Sequence, residues 1–335
     1  MKNILVVNVN WLGDVIFSSP VFRALKKEYP QAKISCLAVP RVKDVLESIS
    51  CIDEIFVYDE KGRHRNLLAK SQLIAHLRKK KFDIVFLLHR SLTRALLVFL
   101  AGIPQRVGYD TKGRGGFLTH KVKPLVGDVH RSDHYLNVIE SFGIKVTDRS
   151  TEIAVSLDAQ REVTEILKAR GIEEDDPFIV INPGGNWDLK QWPPENFTEL
   201  IKRIIEELNI KVVISGASKD IDLTNKIIDP LMNKPIVLTG QTDLKQAMAL
   251  MKQSRLVISA DSGPLHLANS LGTDIISIFG PTRPEITGPR GKGNKTILQE
   301  DVGCNQKACY HLKCPKNICM QAVTVEKVFD AIRQI

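Results

Sequence analysis

What most limits the fold of this 335-residue chain is a recurring short apolar run that does not alternate with polar residues. Such runs occupy residues 4–9 (apart from Asn8), 83–88, 178–182, 211–215, 256–259 and 274–279. A strand with one wet face returns to polarity at every second position. These do not, so each is expected to be covered on both sides. Segments of helical period lie between them, among them 66–80, 194–208 and 244–253. Strands that need cover and helices that supply it imply parallel sheets with helices on both faces. A chain of this length exceeds one core, so two domains are expected, 1–165 and 166–335. The α/β class follows, as two doubly wound Rossmann-like domains facing across a cleft. The closing helix, 324–335, is assigned to the second domain or to a return onto the first. Pro20 interrupts the first helical stretch, either as a kink or as a fresh start capped by Ser19.

The stretch 256–281 is the most informative. An apolar strand ends at Asp261-Ser262-Gly263-Pro264, which is helix-start chemistry, and Leu265, Leu267, Ala268 and Leu271 give the helix an apolar side. A second strand, 274–279, completes a βαβ unit. A helix amino end at the carboxyl end of a strand offers free N–H groups and the positive end of the helix dipole to an anion. His266 falls in the first turn, near the same spot. Asp261 and Ser262 can equally be plain caps and His266 a structural histidine. Pro183-Gly184-Gly185-Asn186 follows the strand 178–182 and lets backbone approach a ligand. Lys190 then supplies a cation for a diphosphate, or is an ordinary surface lysine. Ser218 or Asp220 stands after the strand 211–215. Gly13-Asp14 sits at the end of the first strand, where Asp14 is either a general base or a helix N-cap. Arg63, Arg65, Arg90, Arg114, Arg131 and His134 are candidate contacts to phosphates or acidic sugars, because guanidinium holds two oxygens at once.

Several of these segments resemble glycosyltransferase family 9, the heptosyltransferases that move heptose from ADP-heptose onto the lipopolysaccharide inner core. The resemblance rests on Asp261-Ser262-Gly263 with His266, on Phe279-Gly280-Pro281-Thr282, and on Asn8 followed by Gly13-Asp14-Val15. Lys190 before Trp192-Pro193 fits the same pattern. The segments at Leu88-His89-Arg90 and from His130 to Tyr135 resemble the second heptosyltransferase subgroup. It implies the GT-B architecture and an inverting, metal-independent transferase without a cofactor. Asp14 would be the base and Lys190 the catalytic cation. Gly184, Gly185, Asn186, Lys190, Ser218, Asp261, Ser262, Gly263 and His266 would bind the donor. Arg63, Arg65, Arg90, Arg131 and His134 would bind a phosphorylated or acidic lipid-linked acceptor. Gly185 and Asn186 stand where some members carry hydroxyl residues, so backbone donors would have to serve there.

Charge and cysteine content narrow the surroundings. Of the net +9, residues 1–165 carry +8 (26 Lys/Arg, 18 Asp/Glu) and residues 166–335 carry +1 (21 against 20). A basic first half points to an acidic partner, whether phosphorylated glycolipid, membrane surface or nucleic acid, or serves solubility alone; the resemblance implies peripheral contact at the cytoplasmic face of the inner membrane. No apolar run approaches the ~20 residues of a membrane span. The first residues read as a strand rather than a signal peptide. The nearest rival keeps the fold with a different nucleotide-sugar donor, and the rival from another class is a non-catalytic nucleotide or nucleic-acid binder. Aromatics of 6% and the lack of a recognised module count against nucleic acid. No Gly-x-Gly-x-x-Gly follows a strand, which argues against a dinucleotide oxidoreductase. Cys304, Cys309, Cys314 and Cys319 recur at regular spacing but lack the tight pair typical of zinc sites, leaving a structural metal or reduced thiols open.

Overall fold

Each unbroken apolar run is a strand, and the strands assemble into two six-stranded sheets in which every described pairing is parallel. The structure, a computed structural model, describes residues 1–304, 309, 314 and 316–335. It divides into two units, Met1–Ala154 and Val155–Ile335.

The first unit opens with β1 (Asn3–Val7), α1 (Leu12–Phe17), α2 (Ser19–Glu28), β2 (Lys33–Ala38), α3 (Lys43–Glu47) and β3 (Glu54–Val57). It continues with α4 (Leu67–Lys79), β4 (Ile84–Leu87), α5 (Leu92–Leu100), β5 (Gln105–Tyr109), β6 (His120–Val122) and α6 (Arg131–Glu140). Its sheet order is β3-β2-β1-β4-β5-β6. Leu5, Val7, Val85 and Leu87 pack on Leu73 and Leu77 of α4 and on Ala95, Leu97 and Val98 of α5. These two helices therefore share one face of the sheet. Pro20 makes a fresh start: α1 stops at Phe17, Ser18 intervenes, and α2 carries Pro20 in its first turn. A proline inside one continuous helix would cost about 3 kcal/mol, and the break avoids that. Ser18, not Ser19, is the boundary residue, and its hydroxyl donates to Val15 O instead of capping α2.

The second unit runs α7 (Leu157–Lys168), β7 (Phe178–Asn182), α8 (Pro194–Leu208), β8 (Lys211–Ile214), α9 (Ile221–Ile228), β9 (Ile236–Val237) and α10 (Leu244–Gln253). Then come β10 (Leu256–Ala260), α11 (Gly263–Ser270), β11 (Asp274–Phe279), α12 (Pro284–Thr287), β12 (Lys295–Gln299), α13 (Ile318–Gln321) and α14 (Val325–Arg333). Its order, β12-β11-β10-β7-β8-β9, repeats the winding of the first: the first strand of each unit lies beside its fourth. The division at Ala154 falls earlier than the expected 165, because α7 packs on α10 and buries Ala159, Val163 and Leu167. The closing helix belongs to the second unit. Val328, Phe329 and Ile332 of α14 join the core beneath α8, and Arg203 reaches across to Glu326 at 2.6 Å.

Shorter strands at 33–39, 54–57 and 236–238 are also legible in the sequence, whereas β5, β6 and β12 are not. Each of these last three lacks a continuous apolar run. β6 has three residues, two of them exposed, and β12 exposes every second residue as an edge strand does. The basic glycine segment at 112–116, which looks mobile from composition, is anchored instead. Arg114 is fully buried, and a side chain on Gly115 would meet the Asp110 carboxylate at 2.3 Å. No described helix is long and apolar enough to cross a membrane.

Candidate functional site

In an open parallel sheet the place where strand order reverses leaves a crevice at the carboxyl ends of two neighbouring strands. Each unit has one such place, between β1 and β4 and between β7 and β10. Asp14 and Arg90 follow β1 and β4, and Gly184, Gly185, Asn186, Lys190, Asp261, Ser262, Gly263 and His266 follow β7 and β10.

In the second unit Asp261, straight after β10, organises the site. Its side chain is 4% exposed. Oδ2 accepts from Lys190 Nζ at 2.6 Å, Thr282 Oγ1 at 2.7 Å and Thr287 Oγ1 at 3.3 Å, while Oδ1 faces His266 Nε2 at 3.3 Å. Burial alone would push its pKa up. The His266 hydrogen bond and the Lys190 charge more than reverse this, and the carboxyl is held well below the usual carboxylate range. Asp261 is therefore ionised, and it is not a cap. Nor is Ser262: it occupies the N-cap position of α11 without a side-chain capping bond, its Oγ lying 3.0 Å from Ser259 Oγ. The plain-cap reading of this pair thus fails, and no side chain at the N-cap position satisfies the N–H groups of the first turn, which begins at Gly263.

Beside it, the loop after β7 brings Gly184, Gly185, Asn186 and Lys190 to a recess shared with Asp261 and Ser262. Gly184 is required by packing, since a Cβ there would stand 2.5 Å from the Asp220 carboxyl carbon. Gly185 has open space where a Cβ would project, so its backbone faces the recess without crowding. Asp220 is buried, accepts from the Ala217 N–H of its own turn at 3.0 Å and stands close against Gly184 of the other loop. Ser218 is exposed at the head of the turn after β8, its Cα close against Gly240. Lys219 was missed in the sequence. Its Nζ reaches Gly185 O at 2.8 Å and Asn186 Oδ1 at 2.7 Å, adding a second cation to the loop. Thr282 and Thr287 were also missed as ligands of Asp261, although Thr282 lies in a motif singled out above.

In the first unit Asp14 lies in the first turn of α1, whose N-cap position is Trp11, so the capping alternative for Asp14 falls away. Its Oδ1 accepts from Tyr135 Oη at 2.8 Å. Burial, then the Asp14 charge, push the Tyr135 phenol well above its ordinary pKa, so it stays a neutral donor. Tyr135 was not picked out as a partner for Asp14. Arg90, stacked 4.7 Å from the Tyr109 ring, and Arg131, exposed at the start of α6, both act electrostatically on Tyr135 and on His134. Burial and these two arginines lower the pKa of His134, whose Nδ1 has no hydrogen-bond partner. Arg63 and Arg65 stand apart, exposed in the turn after β3, two strands from β1.

Two further arginines act as internal braces. Arg94, 1% exposed, donates to Asn8 O and Asn10 Oδ1, both at 2.9 Å, and pairs with Glu60 at 3.1 Å. Arg114 donates to Tyr109 O at 2.8 Å and to His89 O, and burial followed by the Arg90 charge lowers its pKa to about 10. Burial first, then Arg94 and Arg114, push His89 down to about 4. Arg114 is therefore scaffold rather than an exposed contact.

Among the described residues no group of three or more His, Cys, Asp or Glu is arranged to hold a metal. Cys304, Cys309, Cys314 and Cys319 are not joined in disulfides, and most of the chain between them lies outside the described residues.

Residues 71–317 match the family described as Glycosyltransferase family 9 (heptosyltransferase). Lipopolysaccharide heptosyltransferase 2 of Escherichia coli K12 is 28% identical over 298 residues, 85% of each chain. A solved glycosyl transferase family 9 structure from Veillonella parvula superposes with a TM-score of 0.88 at 26% identity, covering 99% of this chain and 96% of the other. The E. coli ADP-heptose lps heptosyltransferase II structure superposes at 0.81 with 24% identity, over 100% and 98%, which is a likeness of fold. The fold is the GT-B class expected from the sequence.

Proposed function

The chain belongs to glycosyltransferase family 9, and on that premise we propose that it transfers heptose from ADP-heptose to a phosphorylated or acidic, lipid-linked acceptor of the lipopolysaccharide inner core. The observation that carries the donor half is the Asp261 cluster. An ionised, buried carboxylate holds Lys190 and His266 at the amino end of a helix whose N-cap residue, Ser262, makes no side-chain capping bond. A diphosphate placed there meets backbone N–H groups and one aimed cation. Neither has to reorganise as charge builds on the leaving group. Lys190 would share its protons between Asp261 and phosphate, and Gly185 and Asn186 would offer the adjoining backbone. Ser218 and Lys219 lie on the side where the nucleoside would extend.

The acceptor half rests on Asp14. One oxygen is held by Tyr135, and the other is left to accept the proton of the attacking hydroxyl. As the acceptor oxygen bonds to the anomeric carbon, the bond from that carbon to the diphosphate breaks. ADP departs, and the centre inverts. Arg90, Arg131 and His134 flank Asp14 with positive or donor groups suited to phosphate or sugar carboxylate, with Arg63 and Arg65 further along the sheet edge. Contact with the membrane is peripheral, on its cytoplasmic face.

A panel of nucleotide sugars tests the donor. Transfer from ADP-heptose should exceed that from ADP-glucose or UDP-sugars by about 10²-fold or more in kcat/KM, the range one well-read substrate group provides. Equal use of a different donor would overturn the assignment while leaving the family in place.

A further inference from the structure

The face of the first unit formed by α4 and α5 is unusual in both charge and polarity. α5 buries Ala95, Leu97 and Val98 against the sheet, yet its outer side is apolar too. Leu92, Leu96, Phe99 and Leu100 are 45%, 37%, 43% and 44% exposed. At the amino end of α4, Leu67 and Leu68 are 83% and 69% exposed. Both helices lie on the same side of the sheet and follow their strands in the same sense, so these residues share one outward face. Singly exposed leucines are commonplace, but a stripe of four on one nine-residue helix is not.

The charge around it is one-sided. Residues 61–109 hold eleven Lys/Arg and a single acid, Asp83, and of the eleven Arg94 is buried against Glu60 and Lys80 pairs with Glu54. Several of these cations border the stripe. Arg78 donates to Leu100 O at 2.6 Å, the Arg106 guanidinium lies 5.3 Å from the Phe99 ring, and Lys70 and Lys79 sit on α4.

We propose that this α4–α5 face is where the protein lies on an anionic lipid bilayer, with the leucine stripe entering the headgroup boundary and the surrounding bases on lipid phosphates. Apolar side chains ringed by lysine and arginine are the composition of a helix that rests in a membrane surface. A second copy of the chain is disfavoured as occupant, because two faces of this charge repel. Nucleic acid is disfavoured because the stripe is mainly aliphatic and offers little for bases to stack on. The inference rests on the lipid-linked acceptor reading and gives it a surface. Its test uses acceptor-free vesicles, so that the two can fail separately.

The experiment is co-sedimentation of the full chain with vesicles of phosphatidylcholine alone or mixed with phosphatidylglycerol. The mixed vesicles should bind at least about tenfold more tightly at low salt, each base near an anionic surface contributing about fivefold. Lys70→Glu/Lys79→Glu should lose at least about tenfold, a loss that shrinks as salt screens it. Leu96→Gln/Phe99→Gln should lose a similar factor that salt does not restore, with an unchanged Tm. Both variants should keep full turnover on a lipid-free acceptor fragment and lose it on acceptor embedded in vesicles. Equal binding to both vesicle types, or variants that sediment like the parent, would overturn the proposal. So would a dimer that Leu96→Gln/Phe99→Gln dissolves, which would make this face a contact between copies. Absence of heptose transfer alongside intact vesicle binding would count against the donor assignment alone.

Discussion

The two switch points share one topology and handle charge in opposite ways. Between β7 and β10 the ionisable groups satisfy one another: Asp261 is saturated by Lys190, His266, Thr282 and Thr287, and little is left over. Between β1 and β4 Asp14 has one described hydrogen-bond partner, Tyr135, and the neighbouring Arg90 and Arg131 have no described carboxylate partner. A crevice that receives a diphosphate gains from being fixed in advance, because the charge it meets is always the same. A crevice in which a carboxylate must collect a proton cannot have that carboxylate saturated. The contrast fits the proposed division, with binding in the second unit and proton transfer in the first.

The largest effect that would break this contrast lies at Asp14. Asp14→Asn keeps the bond to Tyr135 but cannot take a proton, and kcat should fall by about 10²–10⁴-fold in a transfer assay. Turnover near the parent's would remove Asp14 as base. Next comes Lys190→Ala, which leaves Asp261 without its cation. A loss of about 10²–10³-fold in kcat/KM is expected, together with a lower Tm, because a buried carboxylate has lost its partner. An unchanged thermal midpoint would show that the pair contributes little to folding. Tyr135→Phe should be milder, about tenfold in kcat with donor KM unmoved, the scale of one hydrogen bond to a charged group. In an Asp14→Asn background the same change should cost almost nothing further, since the two act as a unit.

The smallest effect is in acid, where the units should soften in different windows. His89 stays neutral when folded down to about pH 4, whereas an unfolded histidine takes its proton near 6.5. Below that value the unfolded chain binds more protons, so stability contributed in the first unit falls between about pH 6.5 and 4 and then levels off. Asp261 is depressed, so its contribution is complete above the unfolded value of about 3.9 and is lost only as pH falls further. Hydrogen exchange along a pH series should therefore show β1 and β4 amides loosening first. Simultaneous loosening of both sheets would count against these electrostatic environments.

Much of this was legible in the chain. Unbroken apolar runs fix a doubly covered parallel sheet, and helix starts after such runs, together with the family resemblance, single out Asp14, Lys190, Asp261 and His266, which the fold brings to the two switch points. What escaped shares a physical cause. Edge strands such as β6 and β12 need cover on fewer sides and so lose the apolar signature. Arg94 and Arg114 look like surface arginines, because their burial depends on the carbonyls of Asn8 and His89, 86 and 25 positions away. Tyr135 meets Asp14 across 121 positions, a contact that no local pattern encodes. The α5 stripe has the reverse problem: its apolar residues read as core, and only the packed sheet reveals that half of them face outward.

The division of labour is tested most directly by titrating ADP calorimetrically into the full chain, Asp14→Asn and Lys190→Ala side by side. The account predicts Asp14→Asn within about twofold of the parent, and Lys190→Ala weaker by about tenfold, the loss of one charge-assisted contact to phosphate. ADP bound equally by Lys190→Ala, or weakened instead by Asp14→Asn, would contradict it.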